Sequence, residues 1–553
     1  MNTVKLKYHG EAIPNIASGS TVYEVSKTVQ KDFKYPIIGA KLNNLYIDLS
    51  EEITENGTID FFDLSSAEGN NIYQRSLEFL TIVAAKEVLE KDSEVLINYS
   101  LNNGIYCEVV GQKLQTKTVE NIEEKMHELV KQELPIIKAK VARLEAIKYF
   151  KKTKQLDKVK NLNYTSNSTI GLHKLKNTYD YFFGTLAHNT GQINKFKLTY
   201  IRNNFFVVNY PSIEKPNVVA SYKEYTSLVK MYDEFKEWGQ TINISLASDL
   251  NDWGAKGKYG DAIRIFEAHF ESVLSFIAED IYKKKDRIKV ILLSGPSSSG
   301  KTTTSKKLAL YLKAKGITTR QISLDDYLVT RKKTPKDENG EYDFDDIGAT
   351  DVKLFNNHLE KLLSGKKVDI PEHNFESGTN IYDGKYVSLE ENEILLVEGT
   401  HALNDILTKN IKRENKYKIF ISPLAWLKID NHNRIRTTDI RKLRRIVRDN
   451  RTRSTTAEET LKMWPNVDRG TSKNIYPFQY DVDAVINSSL SYELGVLRIY
   501  AEPLLYGISQ TSEVYSEAIR LINVLRQFLP ISSEEVPKDS ILREFIGDGI
   551  YNQ

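Results

Sequence analysis

At 553 residues the chain is too long for one hydrophobic core, so several domains are expected. Its 40% hydrophobic and 27% charged residues exclude a disordered or fibrous protein. A formal net charge of +3 excludes a global field, so any affinity for nucleic acid or acidic lipid has to come from a local patch.

In chain order, Val4-Lys5-Leu6-Lys7-Tyr8 alternates at the strand period, and Thr58 to Phe62 does so more loosely. Between them Ser20-Thr21-Val22-Tyr23-Glu24 carries the Ser/Thr-then-acid pattern that opens a helix. Residues 1–63 are therefore expected to form a small β-rich domain. The start of the chain has no apolar signal core, and nowhere do about 18 apolar residues run together.

From Asn71 to Lys91, Leu77, Leu80, Val83, Ala84 and Val88 share one helical stripe and open a second, mixed α+β domain over 64–220. It includes a helix at Ile122–Gln132 and a strand at Asn204–Val208. Its single cysteine, Cys107, cannot form an internal disulfide, and no Cys/His cluster has zinc spacing. These features lead us to expect a cytoplasmic protein without a membrane partner. A helical connector is expected over 221–284, with Ala262–Lys283 as its longest helix.

From Lys289 the texture changes to short apolar strands alternating with helices: Val290–Leu293, a helix at Lys301–Lys315, Arg320–Leu324, Glu393–Val397 and Lys418–Ile421. Near-continuous apolar strands imply burial on both faces, as in a parallel sheet with helices on both faces. This domain is expected over 285–510, followed by a helical tail at 511–553.

Gly295-Pro296-Ser297-Ser298-Ser299-Gly300-Lys301-Thr302 is the G-x-x-x-x-G-K-[ST] phosphate loop, set between a buried-type strand and a helix. Its glycines let the backbone wrap a phosphate chain, helix-end N–H groups face the anion, Lys301 adds a cation and the Thr302 hydroxyl can ligate magnesium. Thr303 continues the loop into the first helical turn and counts with it as a nucleotide-binding residue. ATP and Mg²⁺ are the expected cofactors. Glu398, at the end of another apolar strand, is placed to act on the metal side, the alternative being a solvated carboxylate. Asp325, after the strand Arg320–Leu324, is the candidate base for an attacking alcohol; the alternative is a solvated acidic turn, with Asp326 the more ordinary surface residue.

Arg434, Arg436, Arg441, Lys442, Arg444, Arg445, Arg448, Arg451 and Arg453 form a basic run on an expected helix and the loop after it. A nucleic-acid stripe, a solvated helix face and a lid that brings Arg448 and Arg453 over a triphosphate all account for it.

Taken together, Gly295–Thr302, Ser323-Leu324-Asp325-Asp326-Tyr327, Val397-Glu398-Gly399 and Arg444-Arg445-Ile446-Val447-Arg448-Asp449 resemble, in order, the motifs of the uridine kinase and phosphoribulokinase family. The resemblance implies a P-loop α/β fold, MgATP as donor and the 5′-hydroxyl of a uridine- or cytidine-like nucleoside as acceptor. It implies that Asp325 is the base, Glu398 helps hold magnesium, Arg448 and Arg453 act on phosphates, Asp345 grips ribose hydroxyls and Arg445 lies beside the nucleoside. Where pyrimidine kinases of that family carry a Tyr and then a His to read the base, this sequence has His373 and Gly378. His373 then serves either the acceptor or the structure.

Residues 1–63 resemble the TGS domain of threonyl-tRNA synthetase, a β-grasp-like fold, and 64–220 resemble the editing-type domain that follows it. The metal-binding H-x-x-x-H of that domain falls on Phe79-Leu80-Thr81-Ile82-Val83, where no imidazole is available. His188 is the polar feature there that serves either a small ligand or the core. The resemblance implies a regulatory or RNA-sensing front half. Other expectations are a kinase of a sugar phosphate or similar hydroxyl compound, or an ATP-binding RNA-associated regulator. A guanine-reading N-K-x-D motif is not found, and oligomerisation is left open.

Overall fold

In the computed structural model, which describes residues 3–14, 16–336, 340, 342–374, 377–384 and 386–551, Thr21 and Glu24 close a reciprocal capping box. The Thr21 hydroxyl accepts from the Glu24 N–H at 3.2 Å, and the Glu24 carboxylate accepts from the Thr21 N–H at 2.8 Å. The helix Val22–Val29 that follows buries Val22, Val25 and Val29 against a five-stranded sheet. The strand order is Glu11–Ile13, Leu6–Tyr8, Gly57–Phe62, Gly39–Leu42, Leu45–Ile47. Leu6–Tyr8 and Gly57–Phe62 run parallel and the other pairs antiparallel, a β-grasp-like layout. Asn43 and Asn44, both at positive φ, make the two-residue turn between the last two strands of that order.

The next helix, Ala67–Val88, is capped by the Ser66 hydroxyl and lies on a four-stranded antiparallel sheet of Lys197–Arg202, Phe205–Asn209, Gly104–Val110 and Glu94–Leu101. Phe79 and Val83, at the positions of the H-x-x-x-H motif, are buried in this core, with the Phe79 ring 5.2 Å from Phe182. A second, three-stranded sheet, Thr178–Asp180, Thr169–Leu175 and Ile137–Ala142, packs with helices Arg143–Lys152 and Leu156–Leu162.

The C-terminal half is built on a five-stranded parallel sheet with helices packed around it. Its order is Thr318–Ser323, Glu393–Glu398, Val290–Ser294, Lys416–Ser422, Ala484–Asn487. Val290–Ser294 and Lys416–Ser422 are buried along their whole length, as the apolar runs require.

Two expected boundaries look different in three dimensions. The helices Thr226–Ile242, Ala247–Ala255 and Tyr259–Lys283, expected as a connector, share one continuous apolar core with the parallel sheet. Phe235, Trp238 and Phe266 surround Trp426, with ring centroids 5.7, 5.6 and 6.4 Å away. The segment after residue 510 joins the same core through Leu521, Leu525, Ile541 and Phe545. Helical periodicity shows that a face is buried but not against which element, so the core these helices complete was not visible in their own sequence. Among the described residues, no helix is long and apolar enough to cross a membrane.

Candidate functional site

Strand register assembles the site. Glu398 pairs with Ser323 on one side and Leu293 on the other. Adjacent strands stand about 4.8 Å apart, so three chain ends meet at one edge of the sheet: Glu398, the turn after Ser323, and the loop after Ser294.

That loop needs its first glycine, because a Cβ on Gly295 would sit 2.0 Å from the Ile421 carbonyl oxygen. Pro296 and Ser297 carry the chain to Ser298, which adopts φ +62°, and Gly300, at φ +85°, releases it into the helix Lys301–Ala314. Lys301 bends back over the loop, its Nζ 3.3 Å from the Pro296 carbonyl. The hydroxyls of Ser298 and Ser299 are buried without a partner among the described residues. Thr303 donates through its N–H and its hydroxyl to the Glu544 carboxylate, at 3.2 and 2.8 Å.

Burial lowers the pKa of Lys301, while Glu398, Asp325 and Glu544 favour its cation. Burial pushes Glu398 up to about 7, with Asp325 adding to the shift and Lys301 opposing it. Its Oε1 accepts from Ser323 at 3.0 Å and lies 3.5 Å from the Thr302 hydroxyl. Two hard oxygen donors side by side at the mouth of a phosphate loop suit magnesium, which keeps waters and phosphate oxygens as its remaining ligands. No self-sufficient cluster of three or more His, Cys, Asp or Glu is found among the described residues.

Asp325 is exposed at the front of the short 3₁₀ turn Leu324–Tyr327, where its N–H donates to the Ser323 hydroxyl at 3.3 Å. The turn is anchored from inside by Tyr327, fully buried, whose hydroxyl lies 3.1 Å from His358 Nδ1. The charge of Asp325 acts on both Lys301 and Glu398.

Most of the basic run, from Arg441 to Arg453, lies on one helix, Thr437–Arg453, while Arg434 and Arg436 precede it, so the irregular part of the run comes before the helix and not, as expected, after it. Arg441 and Arg444 are fully buried within it, which removes both from any solvated face or nucleic-acid stripe. Arg441 Nε donates to the Ser297 carbonyl at 3.1 Å, and Arg444 Nη1 to the Ser298 carbonyl at 3.4 Å, so both brace the loop from behind. Arg444 is balanced by Glu493 at 2.6 Å. Arg445 reaches the Ser297 hydroxyl at 3.3 Å and Asp449 at 3.1 Å. Arg448 meets the same carboxylate at 2.8 Å, and Arg453, half-exposed, comes within 3.7 Å of it.

Asp345 packs on the next helix, Ala457–Asn474, where a Cβ on Gly470 would approach its own Cβ to 2.3 Å and the Asn474 amide donates to its carbonyl at 2.7 Å. Burial raises its pKa, and Arg445 and Arg441 pull it down. His373 sits in the hairpin Glu372–Asn374/Thr379–Ile381, its Nδ1 2.6 Å from Asn380 Oδ1. Asn380 in turn donates to the Leu328 carbonyl at 2.9 Å, tying the hairpin to the Asp325 turn. Phe375, from the same stretch of sequence, lies outside the described residues. His188 lies apart from all of these, stacked on Tyr23 at 4.0 Å where the first two domains meet.

Three site features were not read from sequence. Arg441 and Arg444 were lost in the charge run, although their spacing of three places them on one helical face. His401, three residues after Glu398, is buried and held neutral, with burial lowering its pKa to about 4. Glu544 carries no local signal at all, because only the fold brings it to Thr303.

Residues 290–492 match the model of the "Phosphoribulokinase / Uridine kinase family", and this part of the chain is a domain of that family. The N-terminal region is similar to threonine–tRNA ligases. That of Desulforamulus reducens is 23% identical over 205 residues, covering 37% of this chain and 32% of the relative. Threonine–tRNA ligase 1 of Bacillus subtilis is 27% identical over 197 residues, covering 35% and 30%. The chain thus spans about a third of the length of the curated relatives it matches. A solved structure described as a possible uridine kinase from Bacillus stearothermophilus is 18% identical, covering 39% of this chain and 97% of that one, with a TM-score of 0.27.

Proposed function

We propose that this chain transfers the γ-phosphoryl group of ATP to the 5′-hydroxyl of a uridine- or cytidine-like ribonucleoside, in the cytoplasm. One arrangement carries the reading: Lys301, Thr302 and Glu398 share the mouth of the loop with the exposed Asp325, while Asp345 is near enough to Arg445 and Lys301 for both to favour its charge. A P-loop ATPase needs no such second carboxylate and ribose-type grip beside the loop, whereas a kinase acting on a small alcohol does.

In this scheme the amides of Gly295–Thr303 and the Lys301 ammonium hold the polyphosphate. Thr302 and Glu398 would hold magnesium, which when bound offsets charge on the phosphate oxygens. Asp345 receives the ribose hydroxyls, and Arg445 and His373 border the nucleoside. Asp325 takes the proton of the 5′-hydroxyl as that oxygen attacks the γ-phosphorus. The bond from the γ-phosphorus to the bridging oxygen breaks, and ADP leaves with the electron pair. Arg448 and Arg453 neutralise charge on the transferring group.

The test is ADP release by the purified chain with ATP, magnesium and a panel of nucleosides and sugar phosphates. Release in proportion to a pyrimidine nucleoside supports the proposal. Release only with a sugar phosphate replaces the acceptor, and release with none of them overturns the assignment as a small-molecule kinase.

A regulatory role for the front half has its own support. The segment leading into the arginine helix is stitched to the middle domain: Asn431 N–H donates to Asp157 at 2.9 Å, Arg434 Nε meets Glu78 at 3.4 Å, and Arg436 reaches Asn71 at 2.5 Å. With the likeness to threonine–tRNA ligases, this favours a front half that binds RNA or a small ligand and acts on the arginine helix. Binding of a structured RNA that weakens steeply with salt and alters ADP release supports it. RNA binding without effect on ADP release overturns the link.

A further inference from the structure

The C-terminal segment lies beyond the family-matched residues and returns to the phosphate loop. Ile541, Leu542 and Phe545 are fully buried, and a Cβ on Gly300 would meet Ile541 Cδ1 at 2.3 Å, so the segment packs directly on the glycine that ends the loop. From this platform Glu544 extends to the first turn of the helix Lys301–Ala314, its Oε2 2.8 Å from the Thr303 hydroxyl and 3.2 Å from the Thr303 nitrogen. N–H groups in a first turn have no partner inside the helix and face the positive end of its dipole. In a phosphate loop they serve the α- and β-phosphates.

The backbone that carries this carboxylate is held from several sides. Arg451 donates to the Glu544 and Phe545 carbonyls, each at 3.3 Å, and the Arg444 guanidinium stands 4.8 Å from the centroid of the Phe545 ring. On the other flank Lys306 Nζ bonds the Tyr551 carbonyl at 2.8 Å and Lys307 Nζ the Asp539 carboxylate at 2.9 Å. Glu544 itself is only half-buried between the buried Arg543 and Phe545, so its side chain has an exit to solvent while the backbone stays packed.

We propose that Glu544 is an internal competitor for the nucleotide: its carboxylate takes the place of an α-phosphate oxygen on Thr303 and has to swing out when the triphosphate enters. The proposal rests on the reading of Gly295–Thr303 as the ATP site. One donor pair cannot serve both anions, and a carboxylate left beside a triphosphate repels it. Without nucleotide, Glu544 adds to the negative charge that Glu398 and Asp325 set beside Lys301. Because Arg451 holds the backbone of Glu544, this gate is mounted on the same helix that carries Arg448 and Arg453. The C-terminal segment is thus a wall of the donor site as well as part of the core.

The experiment measures MgATP binding by calorimetry for the full-length wild type, Glu544→Gln and Lys301→Ala. The amide keeps the shape and removes the charge, so E544Q is expected to bind MgATP about tenfold tighter, the scale of one charge-assisted hydrogen bond, and K301A to bind far more weakly. E544Q binding equally or less tightly while K301A loses affinity overturns the gate and leaves the donor site standing. Binding indifferent to K301A overturns the donor site and the gate with it. Glu544→Ala, which removes the competing side chain altogether, gives a second readout: it should bind MgATP at least as tightly as E544Q, and affinity at the wild-type level overturns the proposal.

Discussion

Lys158 and Asp430 form an ion pair at 2.8 Å with both side chains fully buried, joining the middle domain to the segment that leads into the arginine helix. Lys158 also meets Asp180 at 2.9 Å, and Asp180 is bonded in turn to His432. Asp430 accepts further bonds from the N–H groups of His432 and Asn433 at 2.9 and 3.1 Å. The polar atoms of this interior cluster therefore satisfy one another, as burial demands. Lys158→Met removes the shared cation and leaves two buried carboxylates facing each other. Unfolding in urea should show a loss of about 3–5 kcal/mol. A loss below about 1 kcal/mol would mean that water reaches the cluster and that the domains are not locked here.

Asp325→Asn isolates the proton-transfer role. The amide keeps the size of the side chain and cannot take a proton, so turnover should fall by about 10²- to 10⁴-fold. Affinity for MgATP should hold or rise slightly, because the charge that Asp325 exerts near Glu398 and Lys301 disappears. Single-turnover rates and nucleotide titration separate the two effects. Unchanged turnover removes Asp325 as the base.

Much of this site was legible because its chemistry is local. The phosphate loop, the Thr21/Glu24 capping box and the apolar strand ending at Glu398 each declare themselves within a few residues. Contacts between residues far apart in sequence were not legible. Arg444 looks like one charge in a basic run until Glu493, 49 residues away, and the Ser298 carbonyl are seen around it. Thr303 and Glu544 are 241 residues apart, and Lys158 and Asp430 are 272 apart. Periodicity and motif spacing report the face a residue lies on, whereas the partner of a buried charge is fixed by tertiary packing.

Glu398 makes stability and turnover respond to pH in opposite senses. Its carboxyl is raised from 4.5 to about 7, chiefly by burial. Between those values the folded chain keeps a proton that the unfolded chain has released, so this group's contribution to stability is complete below about 4.5 and is lost as pH rises through about 7. Magnesium needs the ionised form, so metal-dependent turnover should rise over the same interval. Thermal melts of the nucleotide-free chain from about pH 5 to 8 should show the decline, and Glu398→Gln should flatten it. A wild-type profile identical to that of E398Q would place the ordinary carboxylate value on Glu398 and remove the effect.

Asp449 gathers the arginines assigned to phosphate and nucleoside. Its side chain is 2% exposed, Oδ1 lies 2.8 Å from Arg448 and 3.7 Å from Arg453, and Oδ2 lies 3.1 Å from Arg445. A carboxylate in this position either orients the guanidinium groups toward the loop or restrains them away from it. The Ser297 contact of Arg445 at 3.3 Å favours orientation, since that arginine already faces the loop while bound to Asp449. Asp449→Asn keeps the shape and removes the charge that fixes all three. Turnover should therefore fall by about 10- to 100-fold, with the KM for ATP rising. Asp449→Glu, which restores the charge at a longer reach, should recover part of the loss. The KM-against-kcat split distinguishes orientation from simple destabilisation, because melting the helix would lower the active fraction without changing KM. A faster D449N enzyme with wild-type stability would instead identify Asp449 as a restraint that holds Arg448 back until the substrates arrive.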